Sequence, residues 1–324
     1  MSVLLPVYNG STYLRDAIES ILRQTYRNFE LIIIDDGSTD GSSFVVEQFD
    51  DPRIRFYRQT NQGLAATLNR AIELSKGEYL ARQDQDDVSY PQRFDRQIEF
   101  LENHPNYGMV GTWATILDAC GGSERAHRHP AESLILKFEL LFDNPFVHSS
   151  IMMRKTAVDF VGSYSTRHLP EDYELWTRIA RTFEVANIPE VLQVYREVPG
   201  TLSRDKLRPL LDGVIDISAQ NIASVVGKNA PDQITLDLSA LAHHAYYRVS
   251  SNPCMKEIAG LLSDAISNLC GSSVSGRHLL KRRADLRLES IRRSYYCFRY
   301  PAKIDRILAA FSRLRGPLLE VVKP

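Results

Sequence analysis

Residues 77–94 read GEYLARQDQDDVSYPQRF, a short apolar strand running into three acids, Asp84, Asp86 and Asp87, within four residues. Like charges packed this closely repel unless a cation, basic side chains or open water offsets them, and the apolar run before them limits the water. A hard divalent cation, Mg2+ or Mn2+, answers the need: such ions take carboxylate oxygens and water and let substrate phosphates complete the shell. In an extended DxD segment side chains alternate faces, so Asp84 and Asp86 point one way and Gln85 the other. Asp87 and Ser89 have a plainer reading as caps of the helix that Pro91 opens.

Upstream of this strand, the chain alternates strands and helices. Val3 to Val7 is a continuous apolar run, as expected of a strand buried on both faces, with Pro6 marking where its pairing stops. After Asn9-Gly10, Leu14, Ala17, Ile18, Ile21 and Leu22 recur at helical spacing, with Ser11 as cap. FELIIID, residues 29–35, is a second buried strand; it ends in DDGSTDGS, where Gly37 allows a tight turn beside a ligand. IRFY, residues 54–57, is the third strand and leads into a helix with Leu64, Leu68, Ala71 and Ile72 on one stripe, which Gly77 closes. Four strands alternating with three helices predict an α/β fold, a mostly parallel doubly wound sheet with right-handed crossovers. Nucleotide binding is the default expectation for such a sheet, at the carboxyl ends of its strands. Neither GxGxxG nor GxxxxGK occurs, so the phosphates need another partner, and the acidic cluster with its metal supplies one.

With 324 residues and 44% hydrophobic content, the chain holds one large domain or two. A net charge of -1 provides no global field to recruit nucleic acid. The four cysteines, Cys120, Cys254, Cys270 and Cys297, show no CxxC spacing, which fits a reduced cytoplasm. Opening directly on a strand, the chain lacks the look of a signal peptide, and no window is apolar enough to span a membrane.

Five stretches occur in an order that resembles family-two glycosyltransferases of the GT-A fold: LLPVYNG, FELIIIDDGSTDGS, GEYLARQDQDD with PQRF behind it, NPFVHSSIMMRK and LPEDYELWTRIA. The resemblance covers about the first 200 residues. It implies transfer of a sugar from a nucleotide diphosphate donor, UDP-linked by expectation, to an acceptor hydroxyl with inversion at the anomeric carbon. Pro6 and Tyr8 match the first nucleotide-contacting loop, although a tyrosine at a strand end also suits a core. Asp36 matches the acid that receives the base's ring N–H, with Asp35 holding the turn or assisting at the ribose. Asp84 and Asp86 match the DxD pair, Asp86 in direct metal contact and Asp84 acting through ribose, water or the metal.

NPFVHSSIMMRK, residues 144–155, resembles the strand beneath the donor sugar, and His148 is its candidate for donor or phosphate contact; a satisfied structural histidine is the alternative. LPEDYELWTRIA, residues 169–180, sets Glu171 and Asp172 at a helix N-terminus, where acids also simply suit the helix dipole. An acceptor hydroxyl attacking an anomeric carbon has to shed a proton, and a carboxylate within reach takes it. Asp172 matches the family's catalytic acid, with Glu171 orienting it. The loop 162–170, with Arg167 and His168, is a candidate cover for the donor. His127, Arg128 and His129 read as a solvated basic loop.

Beyond Arg204 long helical patterns replace strands, so the reading divides a transferase domain, residues 1–205, from a helical region, residues 206–324. Between 277 and 315, twelve Lys or Arg face three acids, Asp285, Glu289 and Asp305, with Tyr295, Tyr296, Phe298, Tyr300 and Phe311 interleaved. Such a run is a solvated face or a contact with an anionic partner, nucleic acid or, in preference to it, a membrane surface, which would suit the glycan or lipid-linked glycan acceptor that the resemblance implies. Two other functions share the α/β pattern. A catalytically silent nucleotide-sugar binding protein would fail to hydrolyse donor; a nucleotidyltransferase would need a Gly- and Lys-rich triphosphate loop, absent after the first strand.

Overall fold

The computed structural model describes residues 1–117, 124–167, 169–198 and 207–301. Cys120, His168, Arg204, Phe311 and the remainder of the basic run beyond residue 301 lie outside these. The chain divides into two compact units, Met1–Asn221 and Ile222 onward.

In the first unit, strands β1 (Ser2–Val7), β2 (Glu30–Asp35), β3 (Ile54–Arg58) and β4 (Tyr79–Arg82) alternate with helices α1 (Leu14–Leu22), α2 (Ser42–Glu47) and α3 (Leu64–Leu74). The strands lie in the order β3-β2-β1-β4, all parallel. The middles of β1, β2 and β4 are apolar because both faces are covered, whereas β3, at the end of the strand order and only partly buried, carries Arg55 and Arg58. Leu4, Ile32, Ile34 and Leu80 face one layer with Leu68, Ala71 and Ile72 of α3, while Val3, Leu5, Leu31, Ile33 and Ala81 face the other with Leu14, Ile18 and Ile21 of α1.

The chain continues through β5 (Val88–Ser89), α4 (Arg93–Asn103), β6 (Tyr107–Leu117), β7 (Glu124–His127), α5 (Ser133–Glu139), β8 (Met152–Arg154), α6 (Lys155–Val161), α7 (Glu171–Thr182) and β9 (Glu184–Arg196). Here the sheet becomes mixed. The short β8 inserts antiparallel between β4 and β6, β9 runs parallel to β6, and β5 and β7 add antiparallel pairs at β9 and β6.

Local expectations are revised at four places. Pairing of β1 with β2 runs through Pro6, opposite Ile34, to Val7. The Val7 carbonyl accepts from Asp36 on the β2 side, so Pro6 faces β4, where the ladder has already ended at Leu4; its missing N–H breaks no bond. The N-cap of α1 is Tyr13 and that of α4 is Gln92, neither with a side-chain cap, so Ser11, Asp87 and Ser89 do not cap. His148–Ser150 is a single 3-10 turn rather than strand. Gly77 lies beyond the end of α3, and a Cβ there would come within 2.4 Å of Met1 backbone.

Helix α8 (Leu207–Val225) crosses the division between units; α9 (Gln233–Ala242), α10 (Met255–Cys270) and α11 (Val274–Arg299) follow. Asp232 and Thr235 form a reciprocal capping box at the start of α9. Gly276, Leu280, Ala284 and Ile291 make the buried stripe of α11. Among the described residues, no helix is long and apolar enough to cross a membrane.

Candidate active site

The carboxyl ends of β1, β2 and β4 lie side by side, so the loops after Val7, Asp35 and Arg82 share one edge of the sheet. Tyr8 emerges there half exposed, while Pro6 is buried inside its strand. Asp35 is buried and holds the turn: its carboxylate accepts from the Ser38 N–H at 2.8 Å and from the Ser43 hydroxyl. Asp36 is only 3% exposed, and its oxygens accept from Gln59 Nε2 (2.7 Å), Gln62 N (2.8 Å) and Gly63 N (2.9 Å). A carboxylate has about four lone-pair sites, so roughly one remains.

The acidic loop is held by residues that the sequence did not single out. Gln85, turned away from its neighbouring acids, accepts from Tyr8 N at 2.8 Å and donates to Tyr8 O at 3.1 Å, tying the two loops together. Behind it, fully buried Arg93 donates from Nη2 to the Arg82 carbonyl (2.7 Å) and from Nη1 to Ser89 Oγ (2.8 Å) and Gln83 Oε1 (3.1 Å). Burial lowers the Arg93 pKa to about 9.

Asp84 is ion-paired with Arg82 at 2.5 Å. Asp87 is buried, accepting from the Ser149 hydroxyl and from Arg196 N at 2.9 Å; burial, then the charges of Asp84 and Asp86, raise its pKa well above the usual range. The Asp86 carboxyl is pushed up to about 6, by burial first and the Asp84 charge second. Arg82 and Arg196 offset its negative charge only in part, which is the condition a cation would relieve. No group of three or more His, Cys, Asp or Glu surrounds a point among the described residues. The donor set fits an ion held by one or two carboxylates and completed by phosphates and water, as Mg2+ and Mn2+ are.

A second acidic pair lies within reach of the Asp84 charge. Glu171 and Asp172 open α7. Asp172 Oδ2 accepts from Asn144 Nδ2 at 2.8 Å and Oδ1 from Tyr173 N at 2.7 Å. The hydrogen bond that orients Asp172 thus comes from Asn144, not from Glu171. Burial, followed by the Glu171 charge, pushes the Asp172 carboxyl up to about 7, and burial raises Glu171 as well. The charge of Asp84 acts on both pairs, so the DxD acids and the α7 acids share one electrostatic field. His148 Nε2 lies 3.3 Å from the Nε of Arg82, the partner of Asp84, and 3.2 Å from the Tyr164 hydroxyl. Elsewhere, His127, the last residue of β7, and His129 just after it are half-buried and touch through their Nε2 atoms at 2.7 Å, so of the expected solvated basic loop only Arg128 is exposed.

Three comparisons bear on this arrangement. The sequence pattern of glycosyl transferase family 2 matches residues 2–161. The putative glycosyltransferase EpsE of Bacillus subtilis is 36% identical over 226 residues, 66% of this chain and 79% of that protein. The amylovoran biosynthesis glycosyltransferase AmsE of Erwinia amylovora is 33% identical over 60% of this chain and 75% of its own length. The chain belongs to glycosyltransferase family 2 and is a glycosyltransferase. In fold it is similar to S. aureus TarS residues 1–349, solved in complex with UDP-GlcNAc, with TM-score 0.61, 16% identity and coverage of 93% of this chain and 91% of that one. It also resembles the mannosyltransferase PcManGT of Pyrobaculum calidifontis, solved with GDP-Man and Mn2+, with TM-score 0.52, 15% identity and coverage of 91% and 86%.

Proposed function

We propose that this glycosyltransferase moves a hexosyl or N-acetylhexosaminyl group from a UDP-sugar to a hydroxyl of a glycan or lipid-linked glycan, with inversion and with a divalent metal, in polysaccharide biosynthesis. The observation that carries the reading is Asp172: a carboxyl oriented by Asn144, raised to about 7, in the same field as the DxD acids. A general base works best when its pKa is near the working pH. The acceptor O–H gives its proton to Asp172 as its oxygen bonds to the anomeric carbon; the bond from that carbon to the phosphate oxygen breaks and the diphosphate departs with the electron pair. One catalytic acid suffices, because the leaving group needs no proton when its charge is offset; Mn2+ or Mg2+ at Asp86, with Asp84 near it, would supply that offset. Tyr8 would lie against base or ribose, the remaining lone pair of Asp36 would take the base's ring N–H, and His148 would contact the donor. The family relative named for amylovoran biosynthesis and the UDP-GlcNAc and GDP-Man of the two structural neighbours are in keeping with this class of substrate.

A thermal-shift screen of nucleotide sugars, with and without Mn2+, tests the donor. A uridine diphosphate sugar should stabilise the protein most, and only with the metal. Equal stabilisation by adenosine and uridine nucleotides removes base recognition from Asp36. Slow donor hydrolysis without acceptor separates an active transferase from a silent binder.

We assign catalysis to residues 1–205 and peripheral membrane contact to the helical region 206–324. The outward side of α11 exposes Leu279 and Leu286 among Arg277, Lys281, Arg282, Arg292 and Arg293. Its buried stripe makes deletion of the helix an unsafe test. Exchanging these five cations for glutamine should weaken binding to anionic liposomes while donor binding stays, and salt should weaken the parent protein likewise. Unchanged liposome binding assigns the run to a solvated face.

A further inference from the structure

Arg82 is fully buried and uses its guanidinium in three directions: Nη2 to Asp84 Oδ1 at 2.5 Å, Nη1 to the Gln83 carbonyl, and Nε to His148 Nε2 at 3.3 Å. An arginine only donates, so His148 Nε2 has to present its lone pair to it. The Tyr164 hydroxyl, 3.2 Å from the same nitrogen, is placed as a second donor. A neutral imidazole carries one ring proton, and with Nε2 bare that proton sits on Nδ1. Burial, then the Arg82 charge, holds the ring's pKa down to about 3, so the neutral form prevails at neutral pH.

Nδ1 has no hydrogen-bond partner among the described residues. Nor is it among the buried polar atoms lacking one, which are Trp176 Nε1, Asn187 Oδ1 and Arg196 Nε. Its N–H therefore reaches solvent. A second cation at His148 would stand against the Arg82 guanidinium at 3.3 Å, whereas a neutral N–H donor gives direction without that repulsion.

We infer that Arg82 is a positioning residue that locks His148 in the Nδ1–H tautomer, so that the ring offers a neutral hydrogen bond to an oxygen of the donor's diphosphate. The donor contact rests on the function proposed above; the lock does not. It also accounts for an arginine in an otherwise apolar strand, directly before the acids.

The test is 15N NMR of the full chain labelled at histidine, at pH 7, with His148 identified by its loss in His148→Asn. The free protein should show His148 as the Nδ1–H tautomer, and UDP with Mg2+ should shift its Nδ1 signal. Arg82→Met should release the ring from that tautomer; should that variant not fold, the parent spectrum decides alone. In binding assays His148→Asn, whose amide nitrogen can stand near the place of Nδ1, should hold UDP better than His148→Gln, which loses about tenfold. An Nε2–H or doubly protonated ring in the parent protein overturns the lock. An Nδ1–H ring whose signals ignore bound UDP overturns the diphosphate contact. Failure of UDP to bind at all overturns the donor reading, with the tautomer still measured independently of it.

Discussion

Asp172→Asn should lower turnover by about 10²–10⁴-fold, the usual worth of a general base, while donor affinity changes little. Asparagine keeps the size of the side chain, and its amide oxygen can keep one of the two bonds, from Asn144 or from the Tyr173 N–H, but it cannot accept the acceptor's proton. The pH profile adds a second check. The Asp172 pKa stands near 7, so in the parent enzyme the rate should rise with pH through about 7 as the carboxyl ionises. Because the folded-state pKa lies above the unfolded value of 3.8, the same ionisation opposes folding: this group's contribution to stability is greatest at acid pH and diminishes as pH rises toward 7. Near-parent turnover in Asp172→Asn places the base elsewhere, Glu171 first. Joint loss of donor binding and thermal stability makes Asp172 a structural residue of the start of α7.

Asp86→Ala should abolish metal-dependent donor binding and transfer together, because the diphosphate would then face Asp84 and Asp87 with no intervening cation. The free protein should not melt lower, and a higher melting temperature is expected, since a half-buried charge that Arg82 and Arg196 offset only in part has been removed. Asp84→Ala is a less clean experiment. It strips a fully buried Arg82 of its carboxylate partner, so loss of stability accompanies any loss of function. Calorimetry of Mn2+ and donor binding distinguishes the two variants. Retained metal-dependent binding in Asp86→Ala assigns the ion to other residues.

The parallel half of the sheet was legible because its signals are local: apolar runs of strand length, a helical stripe such as Leu64, Leu68, Ala71 and Ile72, and turns between them. β9 was not, because Pro189 interrupts its pattern. The strand absorbs that proline at a register shift, where Thr112 opposes Ile188 and the next residue, Trp113, opposes Val191. β8 was read as part of a longer strand, since nothing in HSSIMMR marks where a 3-10 turn gives way to three extended residues. Among site residues, acids at strand ends announce themselves by their mutual repulsion. Gln85 and Asn144 do not, since a neutral amide acquires meaning only from the partner it reaches, 77 positions away for Gln85 and 28 for Asn144. Arg82 did leave a mark, as a cation inside an apolar strand, but only the fold supplies Asp84 and His148 together as its reason.

Gln85 acts on Tyr8 as a short length of neighbouring strand would, one donor and one acceptor against one peptide's acceptor and donor. A Cβ on Gly10 would fall 2.2 Å from its Oε1, so the space this amide occupies is reserved in the backbone of the other loop. The two loops thus form one transplantable part, although the chain writes it in two places. A designer exchanging residues 8–10 has to carry position 85 along and leave position 10 without a side chain. A graft that moves the first loop alone would lose the amide that fixes Tyr8 relative to Asp84 and Asp86.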